Sequence, residues 1–274
     1  MRIAKSEPLT SIPAQPNSST LVLAAHADDA ILGIGGWVCE QPGAIAVAVL
    51  TDGTPGDLRF FTDGSRDPSR YRLRRRQEAE RVWSRHCPKA KLFFAAIADQ
   101  RLAFSLAPAA AWLEPIIAIT RPTLMLTPAF EGGHPDHDAA NLLVARLARR
   151  HNLPVWEYAL YGSWCGGILR QRFPGGLHLR RITSPRLLRR KRRALAGYIS
   201  QREVLRDFDP AIESLRPLPH HDYRRPPRPG PLVYERWGFP LNAEEVAAAF
   251  ATWLDRFSIA AAVKRDEDLL ACAS

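Results

Sequence analysis

Short apolar runs alternate with stretches of helical periodicity over the first 160 residues of this 274-residue chain. Apolar runs typical of strands buried on both faces lie at 21–25, 44–50, 91–95, 123–127 and 154–160. Helical patterns lie between them, at 29–40, 71–86, 107–120 and 138–150. Strands separated by helices in this way are typical of βαβ units. We therefore predict an α/β fold with a Rossmann-like, mostly parallel sheet flanked by helices.

The pattern changes after residue 160. The stretch 180–193 holds eight basic residues and no acid, and a Pro-rich segment follows at 216–231. Near the end, the pattern over 242–257 predicts an amphipathic helix with Asn242 as its N-cap. We predict a single domain in three parts, an N-terminal extension, a core and a C-terminal elaboration, at 1–19, 20–160 and 161–274.

The composition is that of a globular protein and excludes a membrane span. Hydrophobic residues make up 46% of the chain and charged residues 24%, and no apolar run reaches the roughly 20 residues that a transmembrane helix needs. The first 20 residues contain no apolar segment of the secretory type, so we expect a cytoplasmic protein. The four cysteines are scattered without a CxxC pair, which fits reduced thiols. The net charge of +10 favours anionic partners.

Two polar motifs follow predicted strands, at the edge where open parallel sheets bind ligands. The sequence HADD (26–29) comes directly after the first strand, and EGGHPDHD (131–138) comes after the fourth. Taken alone, the first motif also fits a solvated loop with an aspartate at a helix N-terminus, and the second also fits a solvated turn. Together they predict His and Asp side chains that meet at one sheet edge. A His/Asp/His set completed by water is a common way to hold catalytic zinc.

The glycines at positions 33, 35 and 36 invite comparison with a dinucleotide-binding loop. A Rossmann fingerprint has its glycines in the turn directly after the strand. Here His26 and the two acids occupy that turn, and the glycines fall inside the following helix. We therefore predict close packing of this helix on the sheet and no nicotinamide cofactor.

Three further short motifs lie in order along the chain, LTDG, RRQE and DQRL, at 50–53, 75–78 and 99–102. With AHADDAILGIGG at 25–36 and GGHPDHDA at 132–139, they resemble the motifs of the PIG-L/LmbE-like zinc N-deacetylases. The resemblance covers about 21–160. It implies a deacetylase that releases acetate from an N-acetylglucosamine unit of a sugar or glycoconjugate, with Zn²⁺ as its cofactor.

The resemblance also implies which residues hold the metal and which activates water. The implied zinc ligands are His26, Asp29 and His137. Asp28 would be the general base, because it stands beside a ligand without being one. The family often has Glu after the paired acids, where this chain has Ala30. We expect that difference to alter the surroundings of the ligands rather than to abolish activity.

Four more residues receive roles by the same resemblance. His134 would stabilise the oxyanion or protonate the leaving amine, and Asp136 would orient or tune a histidine. Arg75 and Asp99 would bind substrate, as a bidentate donor and a hydroxyl acceptor. Alternatives stay open for both, because Arg75 is one of five arginines in seven residues, which a solvated helix face also explains, and Asp99 also fits a turn.

The basic stretch 180–193 keeps a second class of function open, a non-enzymatic module that binds nucleic acid or a membrane surface. Its apolar residues recur at helical spacing and no aromatic residue lies among its arginines, so we favour a solvent-facing amphipathic helix without an obligate nucleic-acid partner. An anionic substrate or membrane surface would suit the same charge. A zinc amidohydrolase for another acyl group, and any oligomeric state, also stay open.

The segment 216–237 predicts a Pro-stiffened loop that packs over the sheet and walls the substrate cleft. Its aromatic residues, Tyr223 and Trp237, are of a kind that stacks on sugar rings. The adjacent His220 and His221 suggest a second metal, but neighbouring side chains point in different directions on most backbones.

Overall fold

The computed structural model describes residues 18–62, 64–176 and 178–272, so most of the predicted N-terminal extension lies outside the described residues. The described residues form nine strands: β1 (Ser19–Ala24), β2 (Ala44–Thr51), β3 (Lys91–Ile97), β4 (Leu124–Pro128), β5 (Val155–Tyr158), β6 (Tyr161–Trp164), β7 (Gly167–Arg170), β8 (Leu179–Arg181) and β9 (Ile212–Pro217). They also form eight α-helices: α1 (Asp29–Glu40), α2 (Pro68–His86), α3 (Leu106–Thr120), α4 (Pro135–His151), α5 (Pro185–Ala196), α6 (Arg202–Leu205), α7 (Val233–Arg236) and α8 (Ala243–Cys272).

Seven of the described strands form one sheet in the order β3-β2-β1-β4-β5-β9-β8. The pairs from β3 to β5 are all parallel. β9 and β8 add two antiparallel pairs at the far edge, and β6 and β7 form a separate hairpin. The predicted mostly parallel sheet is confirmed, and the chain after residue 160 extends it.

Helices cover both faces of this sheet because the central strands are apolar on both sides. Leu21 and Leu23 of β1 pack in one core cluster with α3, α4 and α8. Val22 and Ala24 of the same strand pack in a second cluster with α1, α2 and α5. This three-layer arrangement is the reason that β1 appears in the sequence as a continuous apolar run.

Among the predicted helices, α2 and α8 begin next to a side chain that caps them. α2 starts three residues before the predicted position, because Asp67 Oδ1 accepts hydrogen bonds from the backbone N–H groups of Ser69 (2.9 Å) and Arg70 (3.2 Å). The predicted N-cap Asn242 is confirmed, since its Oδ1 accepts from the N–H of Glu245 at 2.9 Å. α8 continues well beyond the predicted end at 257. None of the described helices combines the length and the apolar content required to cross a bilayer.

The glycines of α1 pack closely on the sheet, which confirms the prediction. A Cβ at Gly33 would lie 2.4 Å from the ring of Tyr158, and a Cβ at Gly36 would lie 2.5 Å from Ile182. Next to them, Ile34 departs from helical geometry (φ −141°). The Glu213 side chain accepts hydrogen bonds there from the N–H of Gly36 (2.6 Å).

The basic stretch from Arg186 onward lies in α5, where its arginines are exposed and the apolar face packs on α1 and α2. Arg180 and Arg181 lie instead in β8, and Arg180 is half-buried in ion pairs with Glu40 and Glu213. One member does not fit the predicted solvent-facing helix. Lys191 is fully buried and its Nζ lies 2.8 Å from Glu213 Oε1 of β9. Hydrophobic periodicity did not predict β9, because the buried charge of Glu213 interrupts the apolar pattern of this strand.

Candidate functional site

The turn after β1 points His26 and Asp29 in the same direction. β1 ends at Ala24 and α1 begins at Asp29, so the chain reverses within four residues. The N–H of His26 donates to Asp29 Oδ2 at 2.7 Å, and the N–H of Asp29 donates to the carbonyl oxygen of His26 at 3.3 Å. This local ring of hydrogen bonds fixes both side chains at the carboxyl end of the strand.

The loop after β4 is fixed by its own buried acid. Asp138 Oδ1 accepts hydrogen bonds from the N–H groups of Glu131 (3.0 Å) and Gly132 (3.1 Å). Gly133 has no room for a side chain, since a Cβ would lie 1.8 Å from the carbonyl oxygen of Tyr161. His134 Nδ1 then caps α4 by accepting from the N–H of Asp136 at 3.1 Å. The loop therefore delivers His134 and His137 to the sheet edge in fixed positions.

The two loops meet because β1 and β4 are neighbours in the sheet although they are about 100 residues apart. The ring of His26 lies 4.5 Å from the ring of His134 and 5.4 Å from that of His137, centroid to centroid. Asp29 lies between two of them, with Oδ2 at 3.4 Å from His26 Nδ1 and Oδ1 at 3.3 Å from His137 Nε2. This is the topological switch point of the sheet, where ligands bind in open α/β folds.

The three predicted zinc ligands form a group that suits a metal ion. His26, Asp29 and His137 are buried, and each offers one ligand atom within 4.8 Å of the others. Two imidazoles and one carboxylate are a donor set that zinc accepts, with a fourth position open. His137 Nδ1 is buried without a hydrogen-bond partner among the described residues, so the ring keeps a free nitrogen. A second group shares His26 and adds Asp99, His134 and Asp136.

The site is electrostatically prepared for a cation. Burial lowers the pKa of His26, but the charges of Asp99 and Asp29 outweigh it and raise that pKa well above its usual value. Burial raises the pKa of Asp29, but His137 and His26 outweigh it and hold that pKa well below its usual value. The carboxylates therefore stay ionised next to the histidines, and a positive charge at this point is favoured.

Asp28 does not contact the histidines that flank Asp29. Its Oδ1 accepts a hydrogen bond of 3.0 Å from Nη2 of Arg75, which reaches it from α2. Arg75 is 4% exposed, and its Nε and Nη1 atoms have no hydrogen-bond partner among the described residues. Gly53 allows this approach, because a Cβ there would lie 2.8 Å from Arg75 Nε. Of the five clustered arginines, Arg75 is therefore a buried site residue rather than part of a solvated face.

Asp99 lies beside two histidines, and Asp136 fixes the loop that carries Asp99. Asp99 Oδ1 lies 3.0 Å from His26 Nε2 and 3.4 Å from His134 Nε2. Asp136 accepts hydrogen bonds from the N–H groups of Gln100 (2.7 Å) and Leu102 (3.0 Å). Gln100 holds a left-handed conformation (φ 67°), and such strain persists only where the surroundings enforce it. Asp136 thus fixes the Asp99 loop, and its Oδ2 also lies 3.6 Å from His26 Nε2.

His134 is held as a neutral ring. Burial and the neighbouring His26 lower the pKa of His134 well below its usual value. Its Nδ1 accepts a backbone hydrogen bond, so the proton of the neutral ring is assigned to Nε2. That N–H faces the same cavity as Asp28 and Asp99.

These side chains line a cavity of about 390 Å³, which we call the site pocket. Seven of the eight predicted site residues line it, and Asp136 lies behind the wall. The site pocket also has an aromatic wall, most of which sequence reasoning missed. This wall comprises Phe60, Tyr161, Phe208, Trp237 and Phe239. Only Trp237 was singled out, and its 43% exposure leaves part of the ring open to the solvent. The other members come from four separate segments that carry no local motif.

The remaining residues of the 216–237 segment are structural. The Tyr223 hydroxyl donates to Asn141 Oδ1 at 2.6 Å inside the core, away from the site pocket. His221 Nε2 lies 3.1 Å from Glu157 Oε2. Neither His220 nor His221 joins a metal-type group in the described part of the chain. Ala30, where the resembled family often has Glu, is buried at the start of α1.

One family model matches this chain. Residues 21–148 match the family model described as "PIG-L: GlcNAc-PI de-N-acetylase". No curated protein sequence matches the chain.

Several solved structures share the fold. The pseudoaglycone deacetylase of an antimicrobial reagent is 20% identical, with 75% of this chain and 100% of that chain covered and a TM-score of 0.55. The zinc-inhibited form of teicoplanin deacetylase is 16% identical, with 74% and 98% covered and a TM-score of 0.54. A conserved protein from Thermus thermophilus is 18% identical, with 74% and 97% covered and a TM-score of 0.51.

Proposed function

Because residues 21–148 form a PIG-L family domain, we propose that this protein is a zinc-dependent deacetylase. Its substrate would be an N-acetylglucosamine-type sugar or glycoconjugate, from which it releases acetate by hydrolysis of the amide. The observation that carries the proposal is the meeting of His26, Asp29 and His137 within 4.8 Å, beside an aspartate that is not part of the group. Structures that share the fold include the pseudoaglycone deacetylase of an antimicrobial reagent and a deacetylase in complex with teicoplanin.

Zinc would be held by His26, Asp29 and His137. The chemistry supplied by a bound zinc ion is polarisation of the acetyl carbonyl and acidification of water. The buried carboxylate of Asp29 and the two imidazoles provide a ligand set with one negative charge, which leaves a net positive charge on the bound zinc. The N–H of His26 donates to Asp29 Oδ2, which keeps both ligands in place.

Asp28 would be the general base. Its Oδ1 is occupied by Arg75, while its Oδ2 has no hydrogen bond to any described residue and is available for a proton. When water attacks the acetyl carbon, Asp28 would take the proton at Oδ2. It would then return that proton to the amine as the C–N bond breaks, because an unprotonated amine is a poor leaving group.

His134 would stabilise the charge that develops on the carbonyl oxygen. Its Nδ1 is engaged by the N–H of Asp136 at 3.1 Å, so Nε2–H is its remaining donor, and Nε2 lies 3.4 Å from Asp99 Oδ1, a contact that the substrate oxygen would replace. Of the two roles implied by the resemblance, this geometry supports the oxyanion donor over the acid. A preorganised donor of this kind stabilises a transition state strongly because it does not reorganise during the reaction.

Arg75 and Asp99 would bind the sugar. The Nε and Nη1 atoms of Arg75 are buried donors without partners among the described residues, and leaving such donors unsatisfied costs about 1–3 kcal/mol each. Substrate hydroxyl oxygens would satisfy them. Asp99 accepts from histidines at 3.0 and 3.4 Å, and it is an acceptor that a sugar hydroxyl can reach from the same cavity. The aromatic wall would pack against a sugar ring or its aglycone.

The test is acetate release from a panel of N-acetylglucosamine conjugates, with and without a chelator. We expect release from at least one conjugate, loss of release after chelation and recovery on addition of zinc. The panel includes N-propionyl and N-butyryl glucosamine, because a preference for these would indicate a different acyl group. Elemental analysis serves as the second readout. A purified protein that binds no zinc would contradict the proposal and favour a non-enzymatic basic module.

A further inference from the structure

A second polar cavity lies between α2 and α5, with a volume of about 880 Å³. We call it the arginine groove. Six arginines line it, Arg81 and Arg85 from α2 and Arg186, Arg189, Arg190 and Arg193 from α5. Its lining contains no acidic residue and shares no residue with the site pocket in the described part of the chain. It is thus a separate concave surface whose charge is of a single sign.

The arginines of this groove lack the carboxylate partners that Arg72 and Arg76 have on α2. On the same helix α2, Arg72 Nε lies 2.6 Å from Asp52 and Arg76 Nε lies 2.9 Å from Glu80. In the groove, Arg190 donates to the backbone carbonyl oxygen of His86. The other five make no ion pair with any residue in the described ranges. The groove therefore keeps its guanidinium groups available.

This arrangement does not serve the stability of the helices. Arg81 and Arg85, Arg186 and Arg190, and Arg189 and Arg193 are pairs of like charges four residues apart. Each such pair destabilises a helix by about 0.2–0.5 kcal/mol, whereas a Glu–Arg pair at the same spacing stabilises it. A bound anion would remove this repulsion. The pattern is thus better explained by a ligand than by folding.

The shape and chemistry of the groove define the ligand. One guanidinium group can donate to two phosphate oxygens at once. Arginines four residues apart on a helix stand about 6 Å apart along its axis. The apolar lining consists of Val82, Ala194, Gly197 and Ile199, and the one aromatic ring among the described lining residues, His86, is 2% exposed and offers no free face on which a nucleobase could stack. We propose that the arginine groove binds a compact ligand with adjacent phosphate groups, either free in solution or as the headgroup of a lipid.

The groove is close to the site pocket without being part of it. Arg81 follows Arg75 by six residues on α2, which is about 9 Å along the helix axis. Arg75 faces the site pocket, whereas Arg81 and Arg85 face α5. The ligand would therefore occupy a surface beside the substrate rather than the reacting position.

The test is calorimetric titration of the zinc-loaded protein with sodium tripolyphosphate. The groove variant is Arg85→Gln/Arg189→Gln, which removes one arginine from each helix. The control is Arg192→Gln/Arg202→Gln, which removes the same charge from exposed arginines outside the groove. The control keeps the zinc site, so it also reports any heat from chelation of zinc by the probe.

We expect the groove variant to bind tripolyphosphate roughly tenfold or more weakly than the wild type, and the control to stay within about twofold. Orthophosphate should bind at least about tenfold more weakly than tripolyphosphate, because it cannot engage both helices. Equal losses in the two variants, or equal affinity for orthophosphate and tripolyphosphate, would overturn the proposal.

Vesicles distinguish the source of the phosphates. Binding to phosphatidylcholine vesicles that contain phosphatidylinositol bisphosphate, lost in the groove variant only, would support the proposal with a lipid headgroup as the ligand. Equal binding to vesicles with phosphatidylserine would instead indicate a surface that responds to diffuse charge and would contradict it. Binding of duplex DNA without binding of tripolyphosphate would also contradict it.

Discussion

The site pocket and the arginine groove use the same helix, α2, in opposite ways. Arg75 is 4% exposed and donates to Asp28 at 3.0 Å. Arg85, ten residues later, is exposed and makes no ion pair in the described part of the chain. A buried charge without a partner is strongly destabilising, so burial imposes pairing, whereas an exposed guanidinium is solvated by water. The lack of pairs in the groove is thus tolerated by the fold rather than required by it.

The same contrast appears within α5, between two consecutive residues. Lys191 is buried, and burial outweighs Glu213 and lowers the pKa of its amine although the ion pair remains at 2.8 Å. Arg192 is exposed on the next position of the helix. One basic residue of this stretch is therefore a structural element of the sheet edge, and its neighbour is free to vary. Four variants test whether buried, paired charges are essential for activity or stability while exposed, unpaired charges are dispensable.

The largest effect is expected at Asp29. Replacing Asp29 with Ala should empty the zinc site and lower turnover by roughly 10⁴-fold or more, because the bound metal and its chemistry are lost together. Zinc content by elemental analysis and acetate release are the two measurements. Glu80→Ala, which removes an exposed acid from α2, is the control and should keep both. Full zinc occupancy in the Asp29 variant would count against the ligand assignment.

Asp28→Asn should keep zinc but lower turnover by roughly 10²–10⁴-fold, the range for removal of a general base. The Asn side chain still accepts the hydrogen bond from Arg75 but removes the charge that pairs with this buried guanidinium, so chemical denaturation of the variant accompanies the zinc and rate measurements. Asp29→Asn is the matched comparison, and it should lose zinc affinity as well as rate. If Asp28→Asn bound no zinc while Asp29→Asn kept it, Asp28 would be the zinc ligand and Asp29 the general base.

Lys191→Met should lower the free energy of unfolding by about 3–5 kcal/mol, because it leaves Glu213 buried with fewer partners. Chemical denaturation measures this change. Arg192→Gln is the control on the adjacent position and should stay within about 0.5 kcal/mol of the wild type. Equal stability of the two variants would show that the buried pair is not a structural requirement.

The smallest effect is expected in the groove. Arg85→Gln/Arg189→Gln should leave turnover of an uncharged N-acetylglucosamine conjugate within about twofold of the wild type, at low and at high salt. Steady-state kinetics at two ionic strengths measure it. A large loss with an anionic conjugate at low salt only would instead mean that the groove captures substrate for the site pocket.

The sequence by itself determined the five parallel strands of the sheet and the two motifs at its edge. Continuous apolar runs identify strands such as β1 and β4, because a strand covered on both faces must be apolar at every position. The α1 helix was predicted with its observed bounds, and its glycines were correctly assigned to packing. The positions of His26 after β1, and of His137 at the start of the helix that follows β4, agree with the same periodicity. These are local properties of the chain, so the hydrophobic periodicity of the sequence is enough to predict them.

Only the tertiary structure decided which of these residues meet. The pairing of β1 with β4, 104 residues apart between Thr20 and Leu124, brings the two motifs together. The contact between Asp28 and Arg75, and the hydrogen bonds that Asp136 accepts from the Asp99 loop, join segments 34–47 residues apart. The aromatic wall and the buried Lys191–Glu213 pair carry no periodic signal at all. Such contacts depend on how helices and strands pack in three dimensions, and a one-dimensional pattern does not encode that packing.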